Sequence, residues 1–361
     1  MAIDSAAYSP KEFKLGIQAE TTIGTKIVSG MTLINVDSVE LPSYNPLQVL
    51  DVRSGTGRTL KSSDVFTQKD LVDKEISFSG TADTQILPLL LKNIFNDTQR
   101  AAVTDTVPAA YVVPDSFSPD EFKNGVSGIT NQSDGIITMT VAVISPEGST
   151  SSVFPGCRLT SLQISGDMGT ENGRVKISGT FKTRFNVFIN QAAPTQTDYT
   201  ANFYNMNTMG SGTSQATKKI AGVSNLVLQS FSLNIENPAE YIGYITTSAD
   251  LGGGSSTTNQ DPEVIAVGIP GVTVTMDATV KYDSQSKGID DIYQLGTLSQ
   301  THLSNNANWY DASTFGIYAN KCLVTSLAHN EAAAMMLDVS MQMVADSTGS
   351  APDDSLIEVI A

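Results

Sequence analysis

FPGCRLTSLQISGDMGTENGRVKISGTFKT, residues 154–183, carries the fold in miniature. Its first part, FPGCRLTSLQIS (154–165), reads as strand. Its last part opens GRVKISGTFKTRFNVF (173–188), where Val175, Ile177, Gly179 and Phe181 alternate with Lys176, Ser178, Thr180 and Lys182. Period-two alternation puts one set of side chains in a core and the other in water. MGTEN (168–172) supplies turn residues, so the stretch predicts an antiparallel hairpin with one dry and one wet face.

A second copy of this text lies further along. GCRLTSLQIS is answered by KCLVTSLAHN at a constant offset of 165, matching Cys157 to Cys322, Leu159 to Val324, and Thr160-Ser161-Leu162 to Thr325-Ser326-Leu327. Each is followed by a second alternating strand, VKISGTF in one case and LDVSMQM in the other. Upstream, DSVELPSYNP parallels QSFSLNIENP, and KEISFSGTAD parallels VTVTMDATVK with a different spacing. The recurring order predicts a duplicated unit presenting similar surfaces twice.

Outward from these hairpins, residues 1–30 lack a helical stripe and read as an extended arm. MTLINVDSVEL (31–41), SYNPLQVLDVRSGTG (43–57) and DKEISFSGTAD (73–83) read as strands, the last with Ile76 and Phe78 on its dry side. TQILPLLLKNIFN (84–96) predicts a helix: Ile86, Leu89, Leu90 and Ile94 fall at three- and four-residue steps. Asp83 or Thr84 can cap its start, and Pro88 is tolerated only in the first turn. GIITMTVAVI (135–144), VSNLVLQSFSLNIEN, PEVIAVGIPG, VTVTMDATVKYD, STFGIYANKCLVTSLAHN and AAAMMLDVSMQMVAD complete the strands, and SQSKGIDDIYQLGTLSQ is a helix or turn candidate. DLGGGSSTTNQD (250–261) is a loop by composition. These breaks predict an arm (1–30), a first β domain (31–188), a linker or surface loop (189–217) and a second β domain (218–361).

The 361 residues suit two domains, and Gly, Ser, Thr, Asn and Gln fill most of what the 40% hydrophobic and 16% charged residues leave. Net charge is −16, divided as −4 over residues 1–185 and −12 over residues 186–361. Such a balance argues against a broad nucleic-acid-binding surface, which needs clustered Lys and Arg. Two cysteines in a chain this long make no disulfide scaffold, and their apolar strand context predicts small buried hydrophobes. No basic segment leads into an apolar run at the N-terminus, and no stretch is apolar enough for a membrane helix, so a protein kept soluble in a cell is expected.

Chemistry-bearing constellations are sparse. His302 and His329 sit in no metal-ligand spacing and read as loop histidines. Asp290-Asp291 and Asp353-Asp354 are adjacent residues that do not share a face, so neither makes an acid–base pair. GDMGTENG (166–173) lacks the Lys-Ser/Thr ending of a phosphate loop, and DLGGGSSTTNQD does not match an EF-hand. The sequence therefore nominates no catalytic, cofactor-binding or metal residue. Arg158, Arg174, Lys176, Lys182 and Arg184 could align on adjacent strands, either touching phosphate or meeting a complementary subunit, the second being favoured because Asp167 and Glu171 flank them. Tyr199, Phe203 and Tyr204 are candidate contact aromatics.

Three stretches resemble the major tail tube proteins of long-tailed, siphophage-like bacteriophages. LGIQAETTIGT (15–25) is similar to a Gly-x-x-x-Glu-Thr-x-x-Gly-Thr opening, ISFSGTADTQILPLLLKNIF (76–95) to a strand running into a Leu-rich helix, and residues 154–183 to the hairpin unit. GVSNLVLQSFSLNIENP (222–238) resembles the opening of a later strand pair. The resemblance implies a mainly β, tail-tube-like sandwich or barrel with a flanking helix, here duplicated into two such domains. It implies rings stacked around a tape-measure protein, a lumen that DNA transits without specific binding, and contacts with baseplate or tail-tip and tail-terminator proteins. A duplicated chain favours a trimer with pseudo-sixfold symmetry over a hexamer. The location implied is the virion tail, and the host cytoplasm during assembly, with no cofactor and no membrane. The same features fit a viral capsid or decoration protein, a tail receptor-binding protein and, more remotely, a tail-associated polysaccharide-degrading enzyme.

Overall fold

Alternating strands need a partner for each dry face, and the chain provides it by wrapping one long sheet and its extensions around a shared core. The computed structural model describes residues 9–39, 47–50, 65–68, 73–95, 111–113, 124–125, 136–147, 149–169, 173–197, 202–205, 218–242, 262, 264–267, 271–305, 315–331, 334–346 and 356–360. Residues 250–261, Tyr199 and Asp353-Asp354 lie outside them.

In the first half the elements are β1 (Lys14–Ala19), β2 (Thr32–Ile34), β3 (Val36–Val39), β4 (Leu47–Leu50), β5 (Val65–Gln68), β6 (Lys74–Thr81), α1 (Ile86–Ile94), β7 (Tyr111–Val113), β8 (Asn124–Gly125), β9 (Met139–Ile144), β10 (Ser151–Asp167), β11 (Val175–Thr183) and β12 (Phe188–Gln191). In the second half they are β13 (Lys218–Ile220), β14 (Val223–Ser224), β15 (Leu228–Glu236), β16 (Ala239–Ile242), β17 (Val264–Val267), β18 (Thr273–Lys281), α2 (Lys287–Leu295), β19 (Ser299–Ser304), β20 (Gly316–Glu331), β21 (Met335–Val344) and β22 (Ile357–Ile360).

The main sheet is antiparallel throughout, in the order β3-β6-β11-β10-β15-β18-β21-β20. One face is apolar: Ile76, Phe78, Leu162, Ile164, Ile177, Phe181, Leu233, Ile235, Val274, Met276, Leu337, Val339 and Met341 are all buried. They share one continuous hydrophobic cluster that spans both halves. β10 and β20 are long because each serves two sheets. The N-terminal part of β10 pairs with β9 and β12, β9 with β1, and β1 with β2. Likewise, the N-terminal part of β20 pairs with β19 and β22, β19 with β13, and β13 with β14. β7 adds to β22, and β8 adds to the β16–β17 hairpin.

The halves correspond element by element. β1-β2-β3, β6-α1, and β9-β10-β11-β12 recur in order as β13-β14-β15, β18-α2 and β19-β20-β21-β22. Even the irregularities match: β10–β11 skips a register step between Leu159 and Ser161, and β20–β21 skips one between Val324 and Ser326. β3–β6 and β15–β18 do the same at Val36/Ser38 and Leu228/Ser230.

Both helices begin at an aspartate. Asp83 Oδ1 accepts the backbone N–H groups of Gln85 and Ile86 at 2.8 Å, and Asp283 Oδ1 accepts those of Gln285 and Ser286 at 3.0 and 3.2 Å. A side-chain oxygen there replaces the partners a first helical turn lacks. Pro88 falls in that first turn. Gly288 does not prevent α2, because it too lies in the first turn, and Gly296 ends the helix in a left-handed conformation.

Both histidines depart from expectation. His302 is 5% exposed on β19 and the His329 side chain is 43% exposed on β20, so neither occupies a loop. SQTHLS has no clean alternation of its own, and its strand state comes from pairing with β13 and β20. Residues 189–197 and 202–205 pack on the first half: Thr195 N–H donates to Val28 O, Met31 N–H to Thr195 O, and Tyr204 is buried. No helix among the described residues is long and apolar enough to cross a membrane.

Candidate functional surface

The face of the main sheet opposite the core is built from small polar side chains in cross-strand rows. One row runs Ser77, Thr180, Ser161, Glu236, Thr273. A second runs Ser79, Ser178, Gln163, Asn234, Thr275, Gln342. The third runs Thr81, Lys176, Ser165, Ser232, Asp277, Ser340, Ser326. Hydroxyls and amides satisfy one another along the rows: Ser178 Oγ donates to Gln163 Oε1 at 3.2 Å, and Gln163 Nε2 donates to Ser232 Oγ at 2.9 Å. The result is a polar face that crosses the joint between the halves at β10–β15.

The five basic residues singled out in the sequence do not form one patch there. Arg158 is fully buried and donates to Ile137 O; burial lowers its guanidinium to about 10. Lys182 and Arg184 hold Asp73 at 2.8 and 2.7 Å, and Lys176 holds Asp37 at 3.0 Å. Arg174 stacks over the ring of Phe203, 5.2 Å from its centroid. Arg158 does stand opposite Lys182 in the strand register, but it is covered rather than presented: it donates to Ile137 O, and Tyr241 of β16 lies beside it with its hydroxyl donating to Lys182 O. Glu236 and Asp277 meanwhile stand exposed on the polar face.

Two strand edges of the main sheet are open among the described residues. β3 pairs with β6 alone, and the stretch of β20 from Thr325 to Glu331 pairs with β21 alone. Within the chain the corresponding edges meet each other: β10 joins β15 with Ser161 opposite Glu236, Gly166 opposite Phe231, and Asp167 opposite Ser230. Open backbone edges are templates for another strand.

A buried corner fixes the geometry of that joint. Glu20 is 1% exposed; Oε1 accepts Gly156 N–H and Thr140 Oγ1, both at 2.8 Å, and Oε2 accepts Gly24 N–H at 2.9 Å and Thr138 Oγ1 at 2.6 Å. Burial lifts its carboxyl to about 7, against the four hydrogen bonds that favour the ionised form. The one carboxyl thus ties the 20–24 turn to β9 and to the bend in β10. Gly24 and Gly156 both have positive φ, and a Cβ at either would overlap the ring of Phe185. Tyr241, from β16 of the second half, sets its ring edge-on to Phe185, with its hydroxyl 2.9 Å from Gly156 O and 2.6 Å from Lys182 O.

A family model described as phage tail tube protein matches residues 14–351. The chain belongs to the phage tail tube protein family. Among the curated proteins none matches it. Membership makes it a structural component of a bacteriophage tail that works as an oligomer, with the mainly β fold of that family. The family-like opening LGIQAETTIGT gains a physical reason, since Glu20 and Gly24 are the clip and the turn of the corner just described. Among the described residues no group of His, Cys, Asp or Glu could hold a metal. Cys157 and Cys322 are buried, form no disulfide, and have thiols raised by burial. The two open edges and the row pattern were not nominated from sequence; the parallel texts before Asn45-Pro46 and Asn237-Pro238 were the signal that could have found them.

Proposed function

We propose that this tail tube protein closes into a ring by pairing β20 of one copy with β3 of the next, and that the polar sheet face lines the lumen. The observation that carries this reading is the β10–β15 joint. Gly166 corresponds to Glu331 in the second hairpin, and Phe231 corresponds to Val39 in the first half. Repeating the internal joint between copies therefore sets Glu331 opposite Val39 of the next copy. Because each chain holds two units, three copies complete a ring with pseudo-sixfold symmetry, and the two units are its two domains. Stacked rings enclose the tape-measure protein and later conduct DNA. A surface of serine, threonine and amide groups with exposed Glu236 and Asp277 suits passage without adhesion, since phosphates find no cluster of cations to displace their counterions. Tail-tip, baseplate and terminator proteins cap the stack in the virion tail, after assembly in the host cytoplasm.

The test is a cysteine pair. Directly opposed residues of antiparallel strands have Cα atoms about 4.5–5.5 Å apart, within disulfide range. Val39→Cys with Glu331→Cys, concentrated and oxidised, should give a covalent ladder ending at the ring size, seen on a non-reducing gel and as hollow rings by electron microscopy. Either single variant should give no ladder. Monomers alone from the double variant, alongside rings seen by microscopy, would reject the edge pairing.

A further inference from the structure

The internal joint involves more than two strand edges. After β15 leaves β10, the chain passes Asn237 and turns up as the β16–β17 hairpin. The backbone N–H of Asn237 donates to Thr160 O, and its side-chain amide donates to Ile94 O at the end of α1. Ala239, Tyr241, Ile265 and Val267 of the hairpin then cluster with Ile23, Phe185 and Ile136, the last just ahead of β9. At this corner Ile136 is buried against the hairpin, Phe95 at the end of α1 is 2% exposed within the main core, and Thr138 is fully buried.

The first half owns an equivalent hairpin at an equivalent point. β4–β5 lies between β3 and β6 as β16–β17 lies between β15 and β18. It has the same four-residue ladder, Leu47 opposite Gln68 and Leu50 opposite Val65, against Ala239 opposite Val267 and Ile242 opposite Val264. At the register positions of the buried Ala239, Tyr241, Ile265 and Val267 it carries Leu47, Val49, Phe66 and Gln68, three of the four apolar.

The matching corner of the second half is bare. Asp83-Thr84-Gln85 and Asp283-Ser284-Gln285 align the two helices, which places Leu295 where Phe95 stands; Leu295 is 78% exposed. Leu298, at the counterpart of Thr138, is 44% exposed, and Tyr293 on the same helix is 43% exposed.

We infer that the β4–β5 hairpin of each copy folds over the α2–β19 corner of its neighbour, covering Leu295 and Leu298 as β16–β17 covers the α1–β9 corner within the chain. The inference rests on the ring reading above and commits to the same neighbour, because β3 and β4 follow one another in the chain. It assigns β4–β5 a role as an inter-subunit latch. It also explains why Tyr293, Leu295 and Leu298 are exposed together at one corner, Leu295 more than any other large apolar side chain among the described residues, since an apolar patch open in one copy is covered in the assembly.

The test places a photo-crosslinking amino acid at Leu295 in protein mixed from 14N- and 15N-labelled copies. Rings should yield mixed-label crosslinks from position 295 to peptides within residues 47–68. Leu295→Asp should leave the thermal transition of the isolated chain unchanged and raise the concentration needed for assembly about tenfold, the scale of removing one buried apolar contact. Rings whose crosslinks lie elsewhere or within one label overturn the latch and leave the ring reading intact. Failure of the Val39/Glu331 cysteine pair to crosslink overturns both.

Discussion

Thr160 and Thr325 occupy the same place in two different hairpins. Each is the residue passed over by the strand register, and each Oγ1 lies 3.1 Å from a main-chain carbonyl across the hairpin, Thr180 O for the first and Ser340 O for the second. Thr180 and Ser340 are in turn the partners of the residues that follow, Ser161 and Ser326. The bulge leaves one residue out of the ladder, and its hydroxyl holds the gap in shape.

Replacing either threonine with valine keeps the shape and removes the hydroxyl. Each variant should lose about 1 kcal/mol in urea unfolding, the usual net worth of one such bond. The double variant should lose close to the sum, because the two bulges share no partner.

Gly156→Ala and Gly24→Ala should each cost several times more than Gly30→Ala. All three have positive φ, worth about 1 kcal/mol for an added Cβ, but only the first two place that Cβ in the ring of Phe185, whereas Gly30 has nothing within 4 Å. Thermal unfolding of the three variants checks the ranking. Equal losses would mean that Phe185 moves aside at little cost.

Glu20 sets a pH dependence with a definite sign. Burial raises its folded value to about 7 from an ordinary 4.5, so the folded chain holds this proton more tightly than the unfolded one. The contribution to stability is full below about pH 4.5 and is lost as pH rises through 7. Against Glu20→Gln, which does not titrate, wild-type stability should fall by up to about 3 kcal/mol between pH 4.5 and pH 8. Parallel stability curves for the two proteins over that range would reject the assignment.

Asp73 behaves oppositely. Burial opposes its charge, yet the hydrogen bonds and charges of Arg184 and Lys182 outweigh it and hold the carboxyl below its usual range. Its stabilising contribution is present above the ordinary carboxylate value and disappears as pH falls below it. Asp73→Asn should cost about 1 kcal/mol at pH 7 in low salt, reduced because all three side chains are partly exposed, and should cost less at high salt.

Much of the surface was legible before folding, and particular residues show why. Ser161, Gln163 and Ser165 alternate with Leu162 and Ile164, so the sequence already assigns them to a wet face. No local signal could place Gln163 beside Ser232, because β10 and β15 are neighbours only through the joint of two halves far apart in sequence. Arg158 shows the limit: its alternation with Leu159 matched a surface position, and segments distant in sequence, carrying Ile137 and Tyr241, bury it.

The amino-acid order by itself determined the long alternating strands, the helix that starts after Asp83, the duplicated hairpin and the absence of a metal-ligand spacing, because each follows from side-chain periodicity or short-range capping within about ten residues, whereas β19 and the second helix were settled by packing. The tertiary structure alone decided which edges pair and which stay open, which cations are neutralised, and that Leu295 is bare where Phe95 is covered. Those are properties of long-range register: sheet partners are chosen by the fit of whole faces, and a residue's exposure depends on which distant strand, or which other copy, arrives to cover it.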